Sequence, residues 1–276
     1  MTGSGVATFD AQRSIRADFV FMDPAATDGV VDDADPRNTR LATCSREVTI
    51  SDLRGREDSV SLQRNGLAVL HCPTACRNPR DEAELQTVYY PEIEALVARL
   101  TGASLVRAYG HVVRASREDG TPGLRLPARM AHVDNDFGTT RQLAARLAPA
   151  DRREALMQGR FMLINLWRPL RTVQRHPLAV VDGSTVRRCD LVPVRLLASR
   201  SGVNQPHGLN MIHHADQRWL YLSHMQPDEL LAFRQIDACS DAVQFAGHTA
   251  FDDPTTAPDA PARESIEIRT VSYLPW

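Results

Sequence analysis

From Phe161 onward the chain is a succession of short apolar segments at close spacing, and nothing else in it restricts the fold as much. The segments are Phe161 to Trp167, Leu178 to Val181, Val192 to Leu197, Leu209 to His213, Trp219 to Ser223, Leu230 to Ile236, Gln244 to Phe251 and Ser265 to Tyr273. Turn residues such as Asp182-Gly183-Ser184 separate them, so each reads as a strand. Upstream, Glu47 to Ser51, Leu67 to Leu70 behind Asn65-Gly66, and Ser104 to Arg114 read the same way. Many short strands need a sandwich or a barrel.

Two stretches have helical periodicity. In Pro79 to Leu100, Leu85, Val88, Tyr89, Ile93, Leu96, Val97 and Leu100 recur at helical spacing, Asn78 or Asp81 can cap the start, and Gly102 ends it. Pro91 inside this run predicts a kink. Thr139 to Gln158 reads as one or two helices broken near Pro149. The expected fold is therefore mainly β with flanking helices (α+β): a double-stranded β-helix, the cupin-like jelly roll. Residues 1–45 read as a poorly patterned lead-in, with a loop over the Asp-, Pro- and Gly-rich piece Asp23 to Arg40, and residues 46–276 as the jelly-roll domain. Arg117 to Leu124 reads as a turn-rich loop.

At 276 residues the chain can bury a substantial core. Its formal net charge of -2 and the lack of an arginine-rich block do not suggest a nucleic-acid surface, although every basic residue apart from histidine is arginine. No apolar run follows a basic start, and no stretch is long enough for a membrane helix, so the cytoplasm is the expected compartment. Cys44, Cys72, Cys76, Cys189 and Cys239 are odd in number and scattered, which argues against a disulfide framework and for reduced structural thiols.

Chemistry concentrates in three places. His132-Val133-Asp134 ends a short extended segment, and residues i and i+2 of a strand share a face, so an imidazole and a carboxylate converge without a turn. A second histidine, His248, sits among small neighbours Ala246, Gly247 and Ala250. His207, His213, His214 and His224 are its rivals as a third ligand. At the head of the last strand, Arg263 and Ser265 share a face and offer forked N–H donors and a hydroxyl to a carboxylate. Two histidines and one carboxylate on one face of Fe(II) leave three positions, which two oxygens of 2-oxoglutarate and then O2 can take. Asn165 and Trp167 end an apolar strand on one face and are candidates to line the cavity. Arg168 alternates to the other face and is a rival for the carboxylate seat.

These residues resemble the CmcJ/NvfI-like family of non-haem iron, 2-oxoglutarate-dependent hydroxylase/desaturase proteins. The likeness runs through Asn65-Gly66-Leu67-Ala68-Val69-Leu70 with Pro73-Thr74-Ala75, Val88-Tyr89-Tyr90-Pro91-Glu92-Ile93-Glu94, His132-Val133-Asp134, Asn165-Leu166-Trp167-Arg168-Pro169, Pro177-Leu178-Ala179 with Asp182, His248-Thr249-Ala250-Phe251 and Arg263-Glu264-Ser265-Ile266-Glu267. It covers roughly residues 46–274. The resemblance implies a double-stranded β-helix oxygenase of specialised metabolism with iron on His132, Asp134 and His248. Departures are Ala262 directly before Arg263, where such proteins often have proline, and Cys72 and Cys76.

The expected activity is hydroxylation, desaturation or oxidative rearrangement of a small molecule, with Fe(II), 2-oxoglutarate and O2. The alternatives are an iron- and O2-dependent oxidase that does without 2-oxoglutarate, and a non-catalytic cupin-like binder. Expected partners are a small-molecule substrate, no nucleic acid and no membrane, with a homodimer left open. Loops at Asp134–Thr140, Gly183–Arg188 and Ser201–Leu209 are expected to set the substrate.

Overall fold

The computed structural model describes residues 13–32, 35–116, 125–197 and 206–275. The expected loop at 117–124, and residues 201–205 of the last expected substrate loop, lie outside the described residues. The described residues form fourteen strands: β1 (Ser14–Met22), β2 (Gly29–Asp32), β3 (Thr43–Asp52), β4 (Leu67–His71), β5 (Leu105–Ala115), β6 (His132–Val133), β7 (Arg160–Pro169), β8 (Leu178–Val181), β9 (Leu191–Leu197), β10 (His207–Met211), β11 (Trp219–Tyr221), β12 (Glu229–Asp237), β13 (His248–Ala250) and β14 (Glu264–Leu274). They form a nine-stranded sheet in the order β1-β3-β11-β8-β13-β6-β10-β9-β2 and a five-stranded sheet in the order β4-β12-β7-β14-β5. The two sheets make the expected jelly roll.

Alternation along β7 and β14 decides what faces what. Ile164 and Leu166 of β7 and Ile266 and Ile268 of β14 point to one side, where Tyr89, Ile93, Leu96 and Val97 of the helical stretch cover them. Trp167 points to the other side and packs with Leu231 and Phe233 of β12 against Leu178 and Val180 of β8 and Leu220 of β11. This second core lies between the sheets. Because opposite residues in an antiparallel pair share a face, the register Arg269↔Asn165, Glu267↔Trp167 and Ser265↔Pro169 puts all these side chains on the inter-sheet side.

The helical stretch solves its proline locally. Asp81 caps it, its side chain accepting from the backbone N–H groups of Ala83 and Glu84. The turn Leu85–Tyr89 widens to a π-helix, and Tyr90–Thr101 then continues as α-helix with Pro91 in its first turn, ending at Gly102 with φ 72°. A wide turn leaves carbonyls free at the point where Pro91 has no N–H to give, so the expected break becomes a bulge. The helices Phe137–Leu147 and Arg153–Gln158 flank Pro149 as expected.

The lead-in is where the structure corrects the sequence reading. Residues 14–22 and 29–32 are strands of the large sheet. Phe19 and Phe21 of β1 are buried against Trp219, Ala131, Ala179, Met211 and Phe251. The N–H of Ala131 donates to the carbonyl of Val20 at 2.9 Å, so β1 supports the strand that carries His132. The apolar positions Ile15, Ala17, Phe19 and Phe21 do alternate; the adjoining Asp- and Pro-rich piece obscures a short, legible strand. At the other end, Gln244 to Phe251 is strand only over β13, because Phe245 at φ 60° turns the chain before it. No helix among the described residues is long and apolar enough to cross a membrane.

Candidate active site

β6 and β13 are adjacent, and His132 pairs directly with His248. That register brings the two imidazoles together, with ring centroids 4.3 Å apart. Asp134 follows β6 and turns its carboxylate between them. His132 Nε2 is 3.9 Å from Asp134 Oδ1, and His248 Nε2 is 3.9 Å from Asp134 Oδ2. Among the described residues these three offer ligand atoms within 4.8 Å of one another, the spacing a single ion needs. His213, one of the rivals of His248 as third ligand, instead packs its ring on Phe21, 5.3 Å between centroids.

The protonation pattern suits a metal. His132 Nδ1 donates to the carbonyl of Met130 at 2.7 Å, which leaves the Nε2 lone pair facing inward. Burial, and then the neighbouring His132, holds His248 well below the usual imidazole value, so it is neutral and able to ligate. Burial alone would raise the Asp134 carboxyl; Arg269, His248, His132 and a hydrogen bond from Asn165 outweigh it and hold the carboxyl below its usual range. The segment that delivers His248 is tied to the same support. Gln235, at a bulge in β12, accepts from the Asp134 N–H at 2.9 Å and donates to the Ala246 carbonyl at 2.9 Å.

His248 and Arg263 line one small cavity together with Trp167, Leu178, Ala250, Arg114, Glu267 and Arg269. Arg263 is buried, with 1% of its surface exposed, and its guanidinium carbon lies 5.4 Å from the centre of the Trp167 ring. One nitrogen donates to the carbonyl of His176 at 2.6 Å, but among the described residues the buried Nε has no partner, and neither has the buried Oγ of Ser265. Burial, followed by the like charge of Arg114, pushes the Arg263 guanidinium down to about 9, so it is still a cation at neutral pH. A buried cation beside unpaired donors is costly unless an anion completes it. The donor set thus fits a carboxylate next to a metal position.

The structure brings His132, Asp134, His248 and Asn165 together and puts Arg263 in one cavity with His248, with Trp167 under its guanidinium. Asn165 donates its Nδ2 to Asp134 Oδ2, so it touches a candidate ligand and does more than line the cavity. Arg168 is the exception and corrects the expectation. It points to the helix side of β7, where Nε donates to the Tyr89 hydroxyl at 2.9 Å and Nη1 donates to the Pro227 carbonyl at 2.6 Å. Period-two alternation puts it behind the sheet, so it neither lines the cavity nor rivals Arg263. Arg168→Gln is expected to cost about 1–3 kcal/mol of stability in chemical denaturation through the lost buried bonds, with 2-oxoglutarate affinity unchanged.

Sequence reasoning missed Glu267, Arg269 and Arg114. The signal was available: Arg263, Ser265, Glu267 and Arg269 follow one another at every second position, and the rule that pairs the first two extends to the others. Arg114 lies directly opposite Ser265 on β5.

Comparison with known proteins bears on the whole chain. Residues 21–273 match the family described as Oxidoreductase/YMDC permease-like domain, a match that begins inside the expected lead-in. The Fe(II)/2-oxoglutarate-dependent dioxygenase nvfI of Aspergillus novofumigatus is 32% identical over 82% of this chain and 83% of its own length. The hydroxylase/desaturase poxK of Penicillium oxalicum is 32% identical over 82% of this chain and 78% of its own. The solved structure of the iron and alpha-ketoglutarate-dependent endoperoxidase NvfI superposes with a TM-score of 0.85 at 26% identity, covering 96% of this chain and 100% of that one.

Proposed function

Because the chain belongs to the CmcJ/NvfI-like family of Fe(II)/2-oxoglutarate-dependent oxygenases, we propose that His132, Asp134 and His248 hold its iron and that Arg263 with Ser265 seats the distal carboxylate of 2-oxoglutarate. One observation carries this reading. Three ligand atoms lie within 4.8 Å of one another, and the residue that supplies one of them, His248, lines a cavity with a buried guanidinium whose Nε has no partner among the described residues.

The cofactors are Fe(II), 2-oxoglutarate and O2. When bound, they supply the oxidising power that removes hydrogen from a substrate carbon, while 2-oxoglutarate leaves as succinate and CO2. The chain's own residues bind and aim. Met130 holds the His132 ring through its carbonyl, and Arg269 and Asn165 hold the two oxygens of Asp134. Trp167 lies against the Arg263 guanidinium and holds it through a cation–π contact, while the low local dielectric strengthens the guanidinium's pull on a carboxylate. Apolar Leu178 and Ala250 help to keep the cavity dry.

The substrate is a small molecule of specialised metabolism, and the outcome is hydroxylation, desaturation or oxidative rearrangement. Which one occurs depends on where the substrate carbon is held, since the cofactors carry the reactivity and the protein supplies position. The reading carries with it a cytoplasmic location and no nucleic-acid partner.

The test needs no knowledge of the substrate. Protein loaded anaerobically with Fe(II) is expected to release succinate slowly from 2-oxoglutarate on exposure to O2, and to stop when iron is chelated. Absence of succinate from iron-loaded, folded protein, with candidate substrates present, would remove 2-oxoglutarate from the reaction.

A further inference from the structure

Two carboxylates, and only one of them expected to be a ligand, lie beside His248, Glu267 buried and Asp134 partly buried. Asp134 Oδ2 is 3.9 Å from His248 Nε2, and Glu267 Oε2 is closer, at 3.7 Å. A metal held by two histidines and one carboxylate keeps three positions open, and a chelating 2-oxo acid takes two of them. A second carboxylate in the sphere would remove one of the three and would repel a dianionic cosubstrate. Distance to the histidine therefore does not explain why a single acid should coordinate.

The separation is made by Arg269. Its Nη2 donates to Asp134 Oδ1 at 2.7 Å, and its Nε donates to Glu267 Oε1 at 3.1 Å. Both donors lie on one edge of the planar guanidinium, so the group spans the two acids rigidly, as a flexible ammonium would not. Asn165, directly opposite Arg269 in the β7–β14 register, completes the divider. Its Nδ2 donates to Asp134 Oδ2 and lies 3.4 Å from Glu267 Oε1. Asp134 is held at both oxygens, and Glu267 is held by the oxygen that faces away from His248.

We propose that Arg269, with Asn165, is a positioning residue that sorts the two carboxylates: it holds Asp134 in the metal position and Glu267 out of it, so that the positions a 2-oxo acid needs stay open. The inference rests on the metal-site reading above. It goes beyond that reading in naming an acid that must be excluded and the group that excludes it. With Arg269 removed, Glu267 loses the guanidinium that holds its Oε1, while its Oε2 lies 3.7 Å from His248 Nε2.

The experiment uses full-length protein, Mn(II) as a redox-silent ion and 2-oxoglutarate as the probe. Mn(II) affinity and the number of exchangeable waters on Mn(II) are read by water-proton relaxation, and 2-oxoglutarate affinity by titration of the Mn(II) form. Arg269→Gln is expected to retain Mn(II), to show fewer exchangeable waters, and to lose roughly ten- to a hundredfold in 2-oxoglutarate affinity. Adding Glu267→Gln to that variant is expected to restore most of the affinity, since the intruding ligand is gone. A purely structural role would leave the double variant as weak as the single one, and that result overturns the proposal, as does an Arg269→Gln variant with native 2-oxoglutarate affinity. Glu267→Gln alone supplies a check that does not depend on Arg269→Gln folding. It is expected to bind Mn(II) like the native chain, and a large loss would make Glu267 a ligand and overturn the sorting role. Failure of the underlying reading looks different: His132→Ala would then bind Mn(II) as tightly as the native chain.

Discussion

Replacing His132 with alanine is expected to abolish iron-dependent succinate formation, with a loss on the order of a thousandfold or more. The imidazole supplies one of three candidate ligands, and its Nδ1–H···O=C bond to Met130 holds the ring before any ion arrives. Losing a ligand sacrifices several kcal/mol of charge stabilisation at the reacting centre, and each 1.36 kcal/mol is tenfold in rate. His132 is only partly buried, so the fold should tolerate the change, with little shift in melting temperature. Iron content after anaerobic loading and succinate release are the two measurements. Full succinate formation by His132→Ala would move the metal site elsewhere.

Arg263→Met is expected to raise the dissociation constant for 2-oxoglutarate without emptying the metal site. Removing one partner of a buried, hydrogen-bonded charge pair costs about 2–5 kcal/mol, or roughly thirty- to several-thousandfold in affinity. The effect should be selective. A 2-oxo acid without the distal carboxylate, such as pyruvate, should bind both proteins about equally, so the preference for 2-oxoglutarate collapses in the variant. Folding should respond in the opposite direction. In the ligand-free protein Arg263 is a buried cation whose Nε has no partner among the described residues, and methionine relieves that cost, so the melting temperature should hold or rise. A variant that keeps the native preference would place the carboxylate seat at another cation of the cavity, such as Arg114.

Most of the β-strands are legible in the sequence because burial on one or both faces leaves a short apolar run between turn residues. β7 and β12 show this well, running Arg160–Pro169 and Glu229–Asp237. β1 is hidden although its alternation is present, because the polar piece that follows it dominates the local composition. The π-turn before Pro91 has no sequence signature, since the pattern of apolar residues is nearly the same whether the proline breaks the helix or a wide turn absorbs it.

The sequence by itself determined the jelly-roll class, the family and the residue types of the site, because strand alternation and the motifs His132-x-Asp134 and Arg263-x-Ser265 are local. Only the tertiary structure shows which histidine lies beside His132 and Asp134. His248 pairs with His132 because β13 lies beside β6, a neighbour relation that depends on sheet order and not on spacing in the chain. The same holds for the surroundings of Asp134. Arg269, Asn165 and Gln235 come from three different strands, and hydrogen bonds between residues so distant in sequence have no local signature. Strand alternation sets which face a side chain takes; the register between strands sets what it meets there.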